Sequence, residues 1–265
     1  MSELEIPRDR WGRPLITPVG GGKPEPYTRV STLAKTLDDK TALSKWMCRQ
    51  TAIGLALRPD LVALVGSSAD NKKTVGDAVE QALVAAKSSE AANVGTTLHA
   101  LTEQVDGGAD IDWMPTDLRA DLLAYKQAML GIEIMSSETF IIQDDIKCAG
   151  TFDRLVTLPD GRVMVADVKT GQNEPKYPHA TATQIAIYAQ GTLYTPELGR
   201  LGSLSALGVS TTTGLMIHMP AKTGTCVLYE MDLSAGWALA QIAFDVRFRQ
   251  KSKPITPYAP APVPA

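Results

Sequence analysis

The stretch AGTFDRLVTLPDGRVMVADVKTG, residues 149–171, predicts a β-hairpin. Residues 149–158 and 162–169 are rich in aliphatic and β-branched residues, as β-strands are. Between them stands Leu158-Pro159-Asp160-Gly161, a tetrapeptide typical of a tight turn. The sequence therefore places two antiparallel neighbouring strands in the middle of the chain.

Two carboxylates flank this turn. If the turn is centred on Asp160, Asp153 and Asp167 lie directly opposite each other, with Cβ atoms about 5 Å apart. Two like charges at that distance repel and raise the pKa of one carboxyl group unless a cation lies between them, and a divalent metal is the natural cation. Lys169 is two residues beyond Asp167, so strand alternation places it on the same face. Two carboxylates and an ammonium group are predicted to converge.

A simpler interpretation is a surface ion pair between Asp153 and Lys169, which contributes at most about 1 kcal/mol. Against it, Asp167 directly follows the apolar run 163–166, which is typical of a buried strand. An unpaired charge there would cost several kcal/mol. The interpretation depends on the strand register, because a slip of one residue would separate the two carboxylates.

The segments around the hairpin predict a mixed α/β (α+β) fold with a central mixed β-sheet flanked by helices on both sides. The helical segments are residues 31–57, 74–88, 93 or 95 to 105, 117–130 with Thr116 as the N-terminal cap, 181–193 and 233–250. The strands are residues 138–143, 149–158, 162–169, 215–219 and 226–231, the last two forming a hairpin around residues 222–224.

Four regions are expected along the chain. An irregular, extended arm rich in proline and glycine covers residues 1–30, and an N-terminal helical region covers residues 31–92. The main sheet and its helices occupy residues 93–252, and a stiff proline-rich tail covers residues 253–265.

The composition excludes several protein classes. With 265 residues, 44% hydrophobic and 21% charged, the chain is globular and long enough to form a core without a structural metal or disulfides. A net charge of −3 excludes coating of nucleic acid by bulk positive charge but leaves a local basic groove open. The three cysteines lack any CxxC spacing and are expected to be buried free thiols in a reducing cytoplasm. No membrane span or signal sequence is expected.

Two helical segments carry polar pairs four residues apart. His99 and Glu103 lie on one face of the first, and Gln184 and Tyr188 on one face of the second. A lone histidine on a helix is more often an ordinary core or surface residue than a metal ligand. Neither pair identifies a site on its own.

In their order along the chain, these elements closely resemble the motifs of RecB-like nucleases in the PD-(D/E)XK superfamily, which includes lambda-type exonucleases and the CRISPR-associated adaptation nuclease. The matching elements are Gly95-x3-His99-x3-Glu103, Gly150-Thr151-Phe152-Asp153, Asp167-Val168-Lys169-Thr170-Gly171 and Gln184-x3-Tyr188. The resemblance covers about 95 residues and implies a restriction-endonuclease-like core.

The resemblance also implies a role for each residue. Mg²⁺ or Mn²⁺ would be bound by His99, Asp153, Asp167 and the backbone carbonyl of Val168. Lys169 would position or deprotonate the attacking water and help neutralise the transition state. Gln184 and Tyr188 would line the DNA groove or brace the lysine, and Glu103 or Glu138 would be an outer-shell carboxylate.

The implied activity is a metal-dependent deoxyribonuclease, an exonuclease acting on DNA ends in recombination, repair or phage DNA processing. Two alternatives stay open: a catalytically silent DNA-binding or scaffold protein, and a structure-specific endonuclease or nickase. Many relatives hold an iron–sulfur cluster with four cysteines, and this chain has three, so no cluster is expected. The expected partners are DNA, a recombinase or single-strand annealing protein, and further copies of the chain, in the cytoplasm of a bacterium or of a phage host.

An acidic nuclease must concentrate its basic residues where DNA binds. Candidates for DNA contact are Lys45 and Arg49 in the first long helix, and Arg247 and Arg249 near the end of the last. Further basic residues lie in the N-terminal arm at Arg8, Arg10 and Arg13, and Trp11 or Trp46 is a candidate for stacking on bases. The plain alternatives are a solvated helix end for the C-terminal group and core packing for the tryptophans.

Overall fold

A computed structural model describes residues 5–172, 176 and 178–255. The helices are α1 (Val30–Ala34), α2 (Thr41–Leu57), α3 (Pro59–Ser67), α4 (Lys72–Ala85), α5 (Glu90–Asp106), α6 (Arg119–Ala128), α7 (His179–Ala189) and α8 (Leu233–Arg249). The strands are β1 (Leu15–Ile16), β2 (Glu25–Pro26), β3 (Thr28–Arg29), β4 (Glu133–Gln143), β5 (Cys148–Thr157), β6 (Val163–Lys169), β7 (Thr192–Thr195), β8 (Gly199–Ser203), β9 (Thr213–His218) and β10 (Val227–Asp232).

A mixed sheet forms the centre of the molecule, as predicted. Its strand order is β10-β9-β6-β5-β4-β7-β8, and β3 pairs in addition with the beginning of β5. The predicted hairpin is β5 and β6, which are antiparallel, whereas β6 and β9 are parallel. At the turn, the amide of Gly161 donates to the carbonyl of Leu158, and Gly161 has a positive φ that favours glycine.

Helices cover both faces of the sheet. On one face, α7 and α8 pack over a core that includes Ile141 and Val165. Their close approach requires Gly236, since a Cβ there would lie 2.4 Å from the carbonyl oxygen of Ala182. On the other face, α5 and α6 pack over Met164 and neighbouring residues. The sheet is therefore buried on both sides, which explains the apolar run in β6.

The N-terminal arm is largely irregular but is tied to the sheet. Ile16 and Tyr27 pack on Phe140, Ile142 and neighbouring residues in a separate apolar cluster. The strand β3 runs parallel to β5 where β6 has already diverged from it. The sequence did not predict this strand. Residues 256–265 of the predicted proline-rich tail lie outside the described residues.

The predicted helix over residues 31–57 is two helices, α1 and α2, separated by residues 35–40, and α3 was not predicted. Gly54 allows α2 to cross α4 closely, because a Cβ there would overlap the carbonyl of Ala82. Several apolar residues that suggested the helix are exposed, among them Leu43, Met47 and Ile53. Cys48 on α2 is also exposed, so the expectation of three buried thiols is wrong for this residue.

Two further expectations are corrected. The helix predicted over residues 117–130 begins at Arg119 with Leu118 at its cap, so Thr116 is not the capping residue. The helix predicted over residues 181–193 ends at Ala189 and is followed by β7, because the β-branched and aromatic residues 192–195 add a strand beside β4. Within the described residues, every helix is too short or too polar to cross a membrane.

Candidate functional site

The two strands of the central hairpin separate at the predicted carboxylates. Their register pairs Arg154 with Ala166, and the ladder continues from there toward the turn, as predicted. On the other side of this pair, the amide of Val168 donates to Asp153 Oδ2 at 2.7 Å. A carboxylate therefore occupies the place where the next strand hydrogen bond would otherwise form, and it lies within the sheet.

Asp167 is held from two sides. Asp167 is only 1% exposed, and its Oδ1 accepts a hydrogen bond from Gln184 Nε2 of α7 at 2.8 Å. Its Oδ2 forms an ion pair with the ammonium group of Lys169. The predicted convergence of Asp153, Asp167 and Lys169 is thus present, and Gln184 joins it by contacting the carboxylate rather than the lysine.

Helix α5 and strand β4 add three more polar side chains. His99 Nε2 lies 3.3 Å from Glu138 Oε1, 3.4 Å from Glu103 Oε1 and 3.6 Å from Asp153 Oδ1. One ligand atom each from His99, Glu103 and Glu138 lies within 4.8 Å of the others, a spacing compatible with one metal ion. Both glutamates, which sequence reasoning placed in the outer shell, are as close to the imidazole as Asp153 is.

Glu138 reaches this position through an unusual backbone conformation. It lies opposite Asp153 in the β4–β5 ladder, because its neighbours Ser137 and Thr139 pair with Arg154 and Phe152. Its φ is +47°, in the left-handed region that residues other than glycine rarely adopt. Backbone strain of this kind persists where the surrounding structure enforces it, most often at functional sites.

The polar side chains line an open cleft of about 600 Å³ between α5 and the sheet. At its end, Gly95 lies against Thr170, the residue after Lys169: a Cβ on Gly95 would be 2.6 Å from Thr170 Oγ1. The glycine that begins the predicted helical motif therefore lets α5 approach the end of β6. This approach brings His99, with Glu103 beside it, to Asp153.

The pKa values reflect crowded acids. The pKa of Asp153 is raised to about 7, by burial first and then by the charge of Asp167, while His99, the Val168 amide and Lys169 act in the opposite direction. The hydrogen bond with Glu138 raises the pKa of His99. Burial and the charge of Glu138 raise the pKa of Glu103. The site accumulates negative charge that its own cations do not fully offset, which favours binding of a positive ion.

A buried arginine beside the site was not predicted. Arg154 is fully buried, donates to Asp106 Oδ2 at 2.6 Å and to Thr102 Oγ1 at 2.8 Å, and lies over the ring of Tyr125. Asp106 and Thr102 belong to α5, so Arg154 ties this helix to β5 one residue from Asp153. Its partners lie 48 and 52 residues away in sequence, a separation that no local pattern reveals.

A buried acid outside the cleft, Asp121 on α6, was also not predicted. It is fully buried and accepts hydrogen bonds from the amides of Lys222, Thr223 and Gly224 at 2.6, 3.0 and 2.7 Å. It holds the β9–β10 turn against α6. Because its partners are backbone amides about a hundred residues away, only the tertiary structure reveals it.

The remaining predicted residues lie apart from the cleft or beneath it. Tyr188 is buried and packs against Phe152 with the two rings steeply inclined, so it does not line an open groove, and of its two predicted roles only bracing is compatible with this position. Burial raises the pKa of Tyr188 far above its ordinary range. The four basic candidates lie on two helices, Lys45 and Arg49 exposed on α2, Arg249 exposed and Arg247 half-buried on α8.

Residues 59–213, more than half of the chain, match the model of the PD-(D/E)XK nuclease superfamily. The chain belongs to this superfamily. Membership implies a nuclease that hydrolyses phosphodiester bonds, with DNA as its substrate and divalent metal as its cofactor. In this PD-(D/E)XK nuclease, the matched segment contains all the side chains of the cleft and both strands of the central hairpin.

Among solved structures, the crystal structure of SSO0001 is similar to this nuclease at 12% sequence identity and a TM-score of 0.33. The similarity covers 79% of this chain and 89% of that one. No curated protein matches this chain.

Proposed function

We propose that this protein is a Mg²⁺- or Mn²⁺-dependent deoxyribonuclease, and specifically an exonuclease that removes nucleotides from DNA ends. The observation that supports the proposal is the pair of buried aspartates, Asp153 and Asp167, at the fork of β5 and β6 with Lys169 beside them. Buried carboxylates that share a site are costly unless a cation compensates them.

The donor set fits a hard divalent ion. Asp153, Asp167 and His99 would supply side-chain ligands, with Glu103 and Glu138 next to the imidazole. Val168 would supply its carbonyl: its amide points to Asp153, and the N–H and C=O of one strand residue point to the same side. Carboxylate and carbonyl oxygens with one imidazole suit Mg²⁺ or Mn²⁺ better than a metal that prefers thiolates. Such an ion, when bound, activates water and stabilises charge on a phosphate.

The chain's own residues supply the rest of the chemistry. Lys169, held by Asp167, would bring a positive charge to the site of attack and would position or deprotonate the water. Gln184 fixes the second oxygen of Asp167, so that this carboxylate keeps one orientation. Tyr188 would brace Gln184 from below, one helical turn away.

The finer parts of the proposal concern context. Lys45, Arg49, Arg247 and Arg249 would contact DNA beyond the cleft, and residues 93–252 would form the catalytic core. The protein would act in recombination, repair or phage DNA processing in the cytoplasm, with a recombinase or single-strand annealing protein as partner and with oligomerisation as an option. Each of these rests on the resemblance to RecB-like and lambda-type nucleases.

The test is cleavage of one DNA sequence in linear and in covalently closed circular form, with Mg²⁺, Mn²⁺ or EDTA. We expect degradation of the linear form with either metal and none with EDTA. Lys169→Met should reduce the rate by at least a hundredfold, while Lys126→Met, which removes an exposed lysine on α6, should not change it.

Equal cleavage by Lys169→Met and the wild type would contradict the site assignment. Nicking of the closed circle at the rate of linear degradation would indicate an endonuclease instead. Binding without cleavage under any metal would indicate a scaffold protein on a nuclease fold.

A further inference from the structure

The N-terminal arm carries a compact basic loop, Arg8–Arg13, which we call the arginine loop. Asp9 organises it: Oδ1 accepts from the amides of Trp11 and Arg13, and Oδ2 forms an ion pair with the Arg13 guanidinium. Arg8 closes the loop by donating to the carbonyl of Gly12 at 3.0 Å. Gly12 has a positive φ, as a turn this tight requires. The loop is thus an ordered feature held by its own hydrogen bonds.

The loop presents an aromatic ring together with guanidinium groups. The Arg10 guanidinium lies 4.0 Å from the centre of the Trp11 ring and that of Arg13 lies 5.0 Å from it. The ring is nevertheless 61% exposed, and in the part of the chain that the structure describes it belongs to no apolar cluster. Core packing does not explain a tryptophan in this position.

The loop also concentrates positive charge in an acidic chain. The guanidinium of Arg29 lies within 4 Å of the place where a Cβ on Gly12 would stand, so the loop and its neighbour Arg29 together contribute four arginines and one aspartate. This gives a local net charge of +3, in a chain whose total is −3. The arginines attract a polyanion, and the exposed Trp11 ring can stack on another flat ring.

The chain on either side of the arginine loop packs on the same face of the sheet as the cleft. Ile16, just after the loop, packs on Phe140 and Ile142, whereas Ile141 between them packs toward α7. Phe140 and Ile142 therefore face away from α7, as do Met164 and Ala166 under α5. Glu138 in the cleft precedes Phe140 by two residues, about 7 Å along the strand. On this face, the N-terminal arm covers the sheet on one side of the cleft, and α5 covers it on the other side of the cleft.

We infer that the arginine loop binds the single-stranded part of a DNA substrate next to the metal cleft, stacking unpaired bases on Trp11 and contacting phosphates with Arg8 and Arg10. A single strand fits better than a duplex because only unpaired bases expose faces that an aromatic side chain can stack on. Guanidinium groups beside the ring add both phosphate contacts and cation–π stacking. The inference rests on the proposed function for its substrate.

Binding can be measured separately from catalysis. The full chain is titrated in EDTA against a fluorescein-labelled 20-nucleotide single strand, and the dissociation constant is measured by anisotropy at several salt concentrations. We expect Trp11→Ala to weaken binding about tenfold and Trp11→Phe, which keeps an aromatic face, to restore most of the affinity. Arg10→Ala should reduce the slope of log affinity against log salt by about 0.7.

The matched control is Arg162→Ala. Arg162 is an exposed arginine at the turn of the β5–β6 hairpin, whose charge is already paired with Asp160 and Glu230, and its loss should change neither affinity nor slope. Wild-type affinity of Trp11→Ala, or an equal loss in Trp11→Ala and Trp11→Phe, would overturn the inference. An equal loss on a blunt duplex would overturn its single-strand part. Because EDTA prevents metal-dependent cleavage, a failure of the proposed nuclease activity would leave these results interpretable.

Discussion

Two parts of this protein bury aspartates, and they differ in what faces the carboxylate. Asp121 accepts three hydrogen bonds from backbone amides of one turn, and no other carboxylate is among these partners. Asp153 accepts one amide hydrogen bond and lies beside the charge of Asp167, with His99 and two glutamates next to it. The dipoles of neutral amides stabilise the Asp121 carboxylate without a cation, whereas the negative charge around Asp153 is not fully compensated.

The comparison separates structural from chemical use of the same residue type. Burial alone does not indicate a functional acid, because Asp121 is as buried as any residue of the cleft. A cluster of acids whose charges add up, placed at the edge of an open cleft, does indicate one. Substitutions at four positions test this distinction, from the largest expected effect to the smallest.

The largest effect is expected on activity. Asp167→Asn should lower the rate of metal-dependent DNA cleavage by about a thousandfold or more, equivalent to about 4 kcal/mol in the barrier, because it removes a charged ligand and the partner of Lys169. The melting temperature should change by only a few degrees, since Asn retains a group for Gln184. The cleavage rate and the melting temperature are measured together. If Asp167→Asn loses activity because it unfolds, Asp167 would be a structural residue like Asp121, and the contrast between them would be wrong.

The next effect is expected on stability. Asp121→Ala should lower the free energy of unfolding by about 3 kcal/mol, because three amides of the β9–β10 turn lose a charged acceptor. Urea unfolding measures this loss, and Asp117→Ala on the same surface, which removes only an exposed ion pair with Lys222, is the control. Cleavage at a temperature where the variant is folded should stay near the wild-type rate. Strong loss of cleavage by a folded variant would make Asp121 more than a structural residue.

The third effect depends on pH. Since the pKa of Asp153 is raised in the folded protein, the fold holds a proton that the unfolded chain releases, so stability without metal should fall as the pH rises from about 4 to about 7. Asp153→Asn should lack this part of the decline. At pH 8 its free energy of unfolding should exceed that of the wild type by on the order of 2 kcal/mol. Thermal melts in EDTA across this range measure the difference.

Adding Mn²⁺ at pH 8 should stabilise the wild type and leave Asp153→Asn little changed, because only the wild type provides the charged ligand. Parallel pH profiles for the two proteins in EDTA would contradict the assigned cost of ionising Asp153.

The smallest effect is expected at Glu138. Its positive φ costs about 1 kcal/mol for a residue with a Cβ, so Glu138→Gly should be more stable than Glu138→Ala by about that amount. Both variants lack the carboxylate and should cleave DNA more slowly than the wild type. Equal stability of the Glu138→Gly and Glu138→Ala variants would show that the backbone at this position is not strained.

The sequence predicted the central hairpin well because local rules determine it. A turn at Leu158–Gly161 and alternation along two strands were sufficient to bring Asp153, Asp167 and Lys169 together at the end of the β5–β6 ladder. The i, i+4 spacing likewise placed His99 and Glu103 on one helix face. These features depend on residues that are close in sequence or related by one tight turn.

The features that were missed depend on distant contacts. Gly191, which directly precedes residues 192–195, is a signal for the end of α7 that the sequence prediction overlooked, and the pairing of these residues with the edge of β4 is a distant contact. Arg154 and Asp121 appeared as ordinary charged residues until α5 and the 222–224 turn packed against them. The apolar side chains of α2 indicated a helix correctly, but spacing does not reveal which face is covered, and several of them are exposed.

The pairing of β3 with β5 has a consequence for how this nuclease acquires its stability. The superfamily match begins at Pro59 and ends at Thr213, so it excludes β3 and α1, whose Val30 and Leu33 are in the main core, and also α8. A fragment limited to the matched residues would expose one edge of β5 and the face on which α7 and α8 meet. We therefore expect the segment that carries the chemistry to need the chain that precedes and follows it in order to fold.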